Sequence, residues 1–249
     1  MERLQKYMAS CGVASRRECE KIIEEGRVKI NGEVVTMMGI KVSEFDIVEV
    51  DGKRLEYASE RVYYAMNKPR YFLTTVKDPK GRRTIMDLIP EELSSYRMFP
   101  VGRLDYDTKG IILLTNDGEF MNMLVGPSSK TEKEYLVRVK GIIKKEDLYK
   151  LSKPMKISGK KGTYTTRGCK TYLDSIDRIN GSSLIGIIIE EGKYHEIKDM
   201  CKTAGFEVIR LTRIRFGCIS VDGISEGNMR KLTPHEVKVL FGDAKSKKK

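Results

Sequence analysis

Cysteine and histidine are both scarce in this chain. Its 249 residues hold five cysteines, Cys11, Cys19, Cys169, Cys201 and Cys218, odd in number, scattered, and never in a C-x-x-C pair. Neither a disulfide framework nor a zinc site follows from that distribution. His195 and His235 are the only histidines, too few for a histidine-rich metal centre, and no metal site is expected. No apolar run approaches the ~20 residues of a membrane-spanning helix; the longest are strand-sized. The opening MERLQKYMAS is charged and lacks the apolar region of a secretory signal. The expectation is a reduced, soluble, cytoplasmic protein with no membrane partner.

Positive charge is what the chain has in excess. Lys and Arg number 47 against 35 Asp and Glu, a formal net charge of +12. Lys245, Lys247, Lys248 and Lys249 contribute, but the excess survives without them. A basic surface attracts polyanions, and each phosphate it neutralises releases counterions. Nucleic acid is the natural partner. The hydrophobic fraction, 40%, is enough for a packed core, and the length allows one large domain or two smaller ones.

Residues 1–57 read as one basic unit. Leu4, Tyr7, Met8 and Cys11 recur at helical spacing, and Gly12 can end that helix. Ser15, with Glu18 three residues on, is the capping-box pattern of a second helix; Cys19, Ile22 and Ile23 give it an apolar face and Gly26 a stop. Val28 and Ile30, then Asn31-Gly32, then Val34 predict a hairpin, because both central residues tolerate positive φ. Residues 45–50 followed by Asp51-Gly52 predict another strand and turn. Arg3, Lys6, Arg16, Arg17, Lys21, Arg27 and Lys29 fall largely off the apolar faces. Arg16 and Arg17 open a helix, whose first amides also favour anions. Because these charges share one sign rather than alternating, phosphate contact is favoured over an ordinary solvated face. The stretch RLQKYMASCGVASRRECEKIIEEGRVKINGEVV resembles the S4 RNA-binding domain, and the resemblance covers nearly all of residues 1–56. It implies two helices packed on a small sheet, recognising folded RNA through shape and phosphates, with Arg16, Arg17 and Lys21 as contacts.

A short polar link near residues 57–60 precedes a second region, 61–241. Strand-like segments recur at 61–66, 71–76, 110–115, 134–139, 184–190, 208–216 and 218–221, with helical patterns at 117–125, 145–151, 195–204 and 236–241. The inventory predicts an α+β fold: a larger domain with a mainly antiparallel mixed sheet and flanking helices beside the small N-terminal unit. Residues 242–249 are expected to be a basic disordered tail.

The most informative stretch is GRLDYDTKGIILLTN at 102–116. Ile111 to Leu114 read as a buried strand, so Asp105 sits in a glycine-flanked loop at its mouth, beside Arg103. A carboxylate held there by rigid backbone is a candidate catalytic group. Asp105 and Asp107 can equally close an Asx turn, as Asp often does near Gly.

Beyond this local pattern, NKPR at 67–70, GRLDYDTKGIILLTNDGEF at 102–120, EKEYLV at 132–137, IIEEGKYHEIKDMCKTAGFEVIRLTRIRFG at 188–217 and SEGNMRKLTPHE at 225–236 resemble, in order and spacing, the catalytic domain of S4-containing rRNA pseudouridine synthases. The N-terminal unit looks more like the large-subunit (23S) branch. The resemblance implies isomerisation of a specific uridine, with Asp105 as the essential aspartate, Lys198 as its basic partner and Tyr135 as the active-site tyrosine. It places Arg103 against the opened RNA, with a salt bridge to Asp105 or Asp107 as the alternative. Leu211 would pack on the uracil or serve as plain core, and Lys133 would touch phosphate or be solvated. A uridine must be flipped out before its C1′ and C5 are accessible. The aspartate can attack C1′ or take a proton from C2′, and both routes stay open. Neither demands a cofactor. Ribosomal RNA or a ribosomal-subunit assembly intermediate is the implied partner, and a monomer is expected.

Glu196 and Asp199 stand where glutamine and arginine are common in such enzymes, Tyr71 where glycine is, and Gly126 where histidine is. Two other readings compete. A catalytically inactive S4-type RNA-binding or ribosome-assembly factor would not need Asp105, Tyr135 and Lys198 together. A nuclease binding magnesium through Asp105 and Asp107 lacks a further acidic cluster, and Lys198 would oppose the metal.

Overall fold

The computed structural model describes residues 1–57, 60–159 and 162–246. Residues 58 and 59 of the expected link and 247–249 of the expected tail lie outside them. The chain falls into two units, residues 1–61 with 116–118, and residues 62–115 with 119 onward.

In the first unit β1 (Glu2–Arg3) leads into α1 (Leu4–Ser10) and α2 (Arg16–Glu24), followed by β2 (Val28–Ile30), β3 (Glu33–Val35), β4 (Lys41–Val42), β5 (Val48–Val50) and β6 (Lys53–Arg54). The sheet order is β3-β2-β5-β6, and β1 pairs with β4. Leu4, Met8, Cys19, Ile23, Val28 and Val48 meet in its core. Ser15 Oγ accepts the Glu18 N–H at 3.2 Å, the forward half of the expected cap. Asn31 and Gly32 both have positive φ, 51° and 88°, as a two-residue hairpin turn requires. The strand expected from residue 45 starts only at Val48. Phe45 is 87% exposed, because Asp46 ties its neighbours into a turn by accepting from Ser43 N–H, Ser43 Oγ and Asn31 Nδ2.

The second unit contains β7 (Tyr63–Lys68), β8 (Phe99–Val101), β9 (Lys109–Thr115), α3 (Gly118–Val125), β10 (Lys133–Lys140), α4 (Lys145–Ser152), β11 (Lys156–Gly159), β12 (Gly162–Thr165), β13 (Lys170–Asp177), β14 (Ser182–Ile189), α5 (Glu196–Thr203), β15 (Val208–Phe216), β16 (Ile219–Ser220), β17 (Met229–Lys231) and α6 (Pro234–Ser246). Its main sheet runs β13-β14-β10-β15-β9-β7-β17, with β8 beside β9 and β16 on β15. Every pairing is antiparallel except β15 with β9, where Thr212 faces Lys109 and Arg213 faces Gly110. The architecture is the α+β fold expected from the sequence. Residues 111–114 of β9 are apolar without a break because both faces are covered: Ile112 and Leu114 enter one core cluster, Ile111 and Leu113 the other.

Three expectations need correction. Residues 71–76 form a loop, since Tyr71 takes a left-handed φ of 66° and the backbone of Leu73 is bonded to Arg83 and Ile85. Strand β13 and the β11–β12 hairpin were not expected; β13 is an edge strand, largely exposed, whose KTYLDSID has no clean alternation. Helix α6 continues to Ser246, into the segment expected to be disordered. No proline interrupts it, and Ala244 and Lys245 are good helix formers.

Gly110 is fixed by the parallel crossing. Its φ is +114°, and a Cβ there would lie 2.1 Å from the carbonyl oxygen of Arg213. Gly110→Ala should therefore cost about 3 kcal/mol or more in urea-unfolding free energy, from overpacking and backbone strain together. A loss below about 1 kcal/mol would show that β9 and β15 separate without penalty.

Candidate active site

The loop between β8 and β9 is held from beneath. Lys68, fully buried at the end of β7, donates from Nζ to the carbonyl oxygens of Pro69 at 2.9 Å, Asp105 at 3.2 Å and Thr108 at 2.8 Å. Burial pushes its ammonium down to about 8, against the opposing pull of Asp105 and Asp107. Thr74 Oγ1 donates to the Leu104 carbonyl at 2.8 Å, and the Thr108 N–H closes the turn on the Asp105 carbonyl at 3.1 Å. Backbone and lysine make this turn, so the Asp105 carboxylate is left for contacts across the cleft.

Those contacts come from α5. Lys198 Nζ lies 2.9 Å from Asp105 Oδ2 and 2.6 Å from Asp107 Oδ1. His195 Nε2 stands 3.4 Å from Asp105 Oδ1. Burial alone would raise the Asp107 carboxyl, but the bond and charge of Lys198 outweigh it and hold it low. Burial likewise works against the Lys198 ammonium, and the two aspartates overcome it and raise it. The ammonium occupies the position between Asp105 and Asp107 that a divalent cation would need. Among the described residues no group of three or more His, Cys, Asp or Glu could hold a metal.

The sheet supplies the floor. Tyr135 on β10 and Leu211 on β15 are buried and line a cleft of ≈ 950 Å³ that also contains Asp105 and Lys198. Tyr135 faces Arg213 across the β10–β15 pairing, and alternate residues share a face, so Lys133, Tyr135, Leu211 and Arg213 lie on one side. Lys133 departs from both readings of it, phosphate contact and solvation. It is 6% exposed, its Nζ donates to the Glu190 carbonyl at 2.6 Å, and burial pushes it down to about 8. The inward phase of β10 is the reason: residues 133, 135, 137 and 139 are all buried.

Arg103 is exposed at the cleft. The alternative salt bridge to Asp105 or Asp107 does not form, since Lys198 takes both carboxylates. Arg82 on the rim is held in place by Asp78, which accepts from its N–H at 3.0 Å, Nε at 3.1 Å and Nη2 at 2.8 Å. In the first unit Arg16, Arg17 and Lys21 are exposed on α2, with Lys21 3.7 Å from Glu18 of the same helix. Two further cations beneath the cleft, Lys68 and Arg213, were not among the residues expected at the site. Arg213 is buried, with Nε donating to the Ile111 carbonyl at 2.7 Å and its guanidinium 5.0 Å from the Phe216 ring centre. The signals for Lys68 are its place in the NKPR segment and at the end of a largely apolar strand, directly before Pro69.

Comparison with known proteins supplies the family. A model described as RNA pseudouridylate synthase matches residues 62–203, and an S4 domain model matches residues 2–48. The ribosomal large subunit pseudouridine synthase B of Bacillus subtilis is 44% identical over 243 residues, 96% of each chain. An uncharacterised RNA pseudouridine synthase of Aquifex aeolicus is 42% identical over 96% of this chain and 93% of its own. A crystal structure of a pseudouridylate synthase superposes with a TM-score of 0.67 at 29% identity, covering 96% of this chain and 100% of that one. Among the described residues no helix is long and apolar enough to cross a membrane.

Lys68→Met removes three donors from buried carbonyls while keeping the bulk. It should lower unfolding free energy by about 2–4 kcal/mol, the scale of stranded buried acceptors, measured by chemical denaturation. An unchanged midpoint would mean that the loop holds its shape without the lysine.

Proposed function

The chain belongs to the RNA pseudouridylate synthase family, and we propose that it isomerises a specific uridine of ribosomal RNA, in the large subunit, to pseudouridine. The observation that carries this reading is the pairing of Asp105 with Lys198 at 2.9 Å, in a cleft whose floor is Tyr135 and Leu211. The large-subunit assignment rests on the name of the Bacillus subtilis relative.

The reaction breaks the N1–C1′ bond, turns the uracil, joins C5 to C1′ and releases the C5 proton. Asp105 acts next to the ribose, either as a nucleophile at C1′ or as a base at C2′. The Lys198 ammonium gives that carboxylate a fixed counter-charge, and the carbonyl bonds of Lys68 hold its backbone still. Leu211 offers the flipped base an apolar surface. Tyr135 stacks on the ring and is placed to assist removal of the C5 proton. Arg103, exposed at the cleft and without an ion pair among the described residues, can hold the RNA opened by base flipping. Nothing is oxidised or reduced and no group arrives from outside, so these residues can complete the reaction without a cofactor. Arg16, Arg17 and Lys21 contribute phosphate contacts from the S4 unit.

Tritium release from C5-labelled uridine in large-subunit RNA transcripts tests the chemistry. Asp105→Asn should bind RNA with unchanged affinity and lose at least about 10³-fold in release rate. Equal release by both proteins would end the catalytic assignment and leave an RNA-binding factor. Removing Arg16, Arg17 and Lys21 together should weaken binding to all transcripts and reduce the slope of log affinity on log salt by roughly two to three. An unchanged slope would remove this helix from the RNA surface.

A further inference from the structure

The turn that leads from β14 into α5 contains a buried acid that the proposed chemistry does not use. Glu196 is 3% exposed. Its Oε2 accepts the Lys193 N–H at 2.8 Å. Its Oε1 is shielded from solvent and has no hydrogen-bond partner among the described residues. Beside it lies Glu191, whose carboxylate accepts the Arg167 N–H and pairs with Lys193 Nζ at 2.8 Å. The titratable groups around Glu196 are Glu191 and Lys193 from the turn, Lys133 from β10, Tyr164 from β12 and Cys169 from the link to β13. Both lysines are engaged elsewhere: Lys133 Nζ on the Glu190 carbonyl at 2.6 Å, Lys193 Nζ on Glu191 and on the Thr165 carbonyl at 2.8 Å. Among the described residues no cation is bonded to Glu196, so ionised it would be a buried charge on a single N–H. In the neutral acid, one oxygen is a donor with an acceptor carboxylate next to it.

We propose that Glu196 is a positioning residue held in its protonated form, its carboxylic O–H donating to the Glu191 carboxylate while its other oxygen accepts the Lys193 N–H. This closes the turn that starts α5 and sets the direction in which Lys198 leaves the helix. The kinetic consequence rests on the reaction proposed above; the proton itself does not.

Burial first, and then Glu191, push Glu196 up to about 7, whereas Glu191 stays below its usual range. A folded acid that holds its proton more tightly than the unfolded chain contributes stability at low pH and loses it as pH rises through the folded value. The unfolded chain releases this proton near the model value 4.5 and the folded chain near 7, so the loss develops in that window. Tyr164 and Cys169 are raised to about 12 and about 11 and stay neutral throughout. Lys133, near 8, is common to the proteins compared.

The test uses the full chain and Glu196→Gln, whose amide keeps a donor toward Glu191 and an acceptor for the Lys193 N–H but cannot ionise. The melting temperatures of the two proteins should agree near about pH 5, and the variant should be higher by about 3 °C or more at about pH 7.5. A difference that does not change with pH would overturn the proposal. If Glu196→Gln fails to fold, Glu191→Gln removes the partner charge and should flatten the pH dependence of the wild-type melt; an unaltered dependence would overturn it equally. In tritium release, kcat of the wild type relative to Glu196→Gln should fall about tenfold between about pH 6.5 and 8, with KM unchanged. A constant ratio would remove the link to Lys198. Absence of release from both proteins would count against the reaction, and the melting difference would still decide the proton.

Discussion

Lys198 reaches two carboxylates at once, and the second unit is arranged to let it. Asp105 sits in the loop before β9, and Lys198 on the helix before β15. These elements are far apart in the chain, and they meet because β9 and β15 run side by side in parallel. The parallel step puts the loop that enters β9 next to the middle of β15, where Leu211 lines the same cleft. It is also where the two backbones press together, with Gly110 against the Arg213 carbonyl. The one parallel pairing of an otherwise antiparallel sheet is therefore what assembles the ion pair.

Under that pair the protein buries positive charge without cancelling it. Lys68, Lys133 and Arg213 are all nearly inaccessible, and among the described residues their hydrogen bonds go to backbone carbonyls of Pro69, Asp105, Thr108, Glu190 and Ile111 rather than to carboxylates. Carbonyl dipoles offset part of the desolvation while leaving the net charge in place. The cost is visible in the two lysines, both pushed down to about 8. Cations on a low-dielectric floor strengthen the positive field at the mouth of the cleft, where Arg82 and Arg103 lie.

The legible parts of this molecule are the ones whose causes are local. The hairpin at Asn31-Gly32, the cap at Ser15 and the apolar strand at Ile111 to Leu114 each follow from a few adjacent residues. Strand β13 was not legible because it lies at an edge with little burial to impose a period. Residues 71–76 look β-prone, yet tertiary hydrogen bonds turn them into a loop. Within the site, Asp105 was visible from its glycine-flanked setting, but not which of its two local roles it would take. In the structure Lys68 and backbone close the turn, and the Asp105 carboxylate faces Lys198. Lys198 became a candidate only through family resemblance, since a helix lysine has no local mark of its partner. Lys133 was misplaced because a lysine reads as solvated until its strand phase is known.

Helix α5 presents two opposed electrostatic demands within one turn. Glu196 and Lys198 are two residues apart, so they leave the helix about 200° apart, one into the core and one toward Asp105. A helix N-terminus favours an anion, by about 0.3–1 kcal/mol near the surface and at most ~2 kcal/mol in partly buried settings. That would argue for an ionised Glu196. Burial of a carboxylate served by a single N–H costs several kcal/mol, and the neighbouring Glu191 carboxylate adds repulsion of the same sign. The two unfavourable terms exceed the dipole, so the neutral acid wins. Seated in that form, and with Met200 and Cys201 fully buried one turn further on, α5 is fixed at both ends of its inner face. Its outer lysine is then directed at the two aspartates by packing as well as by charge.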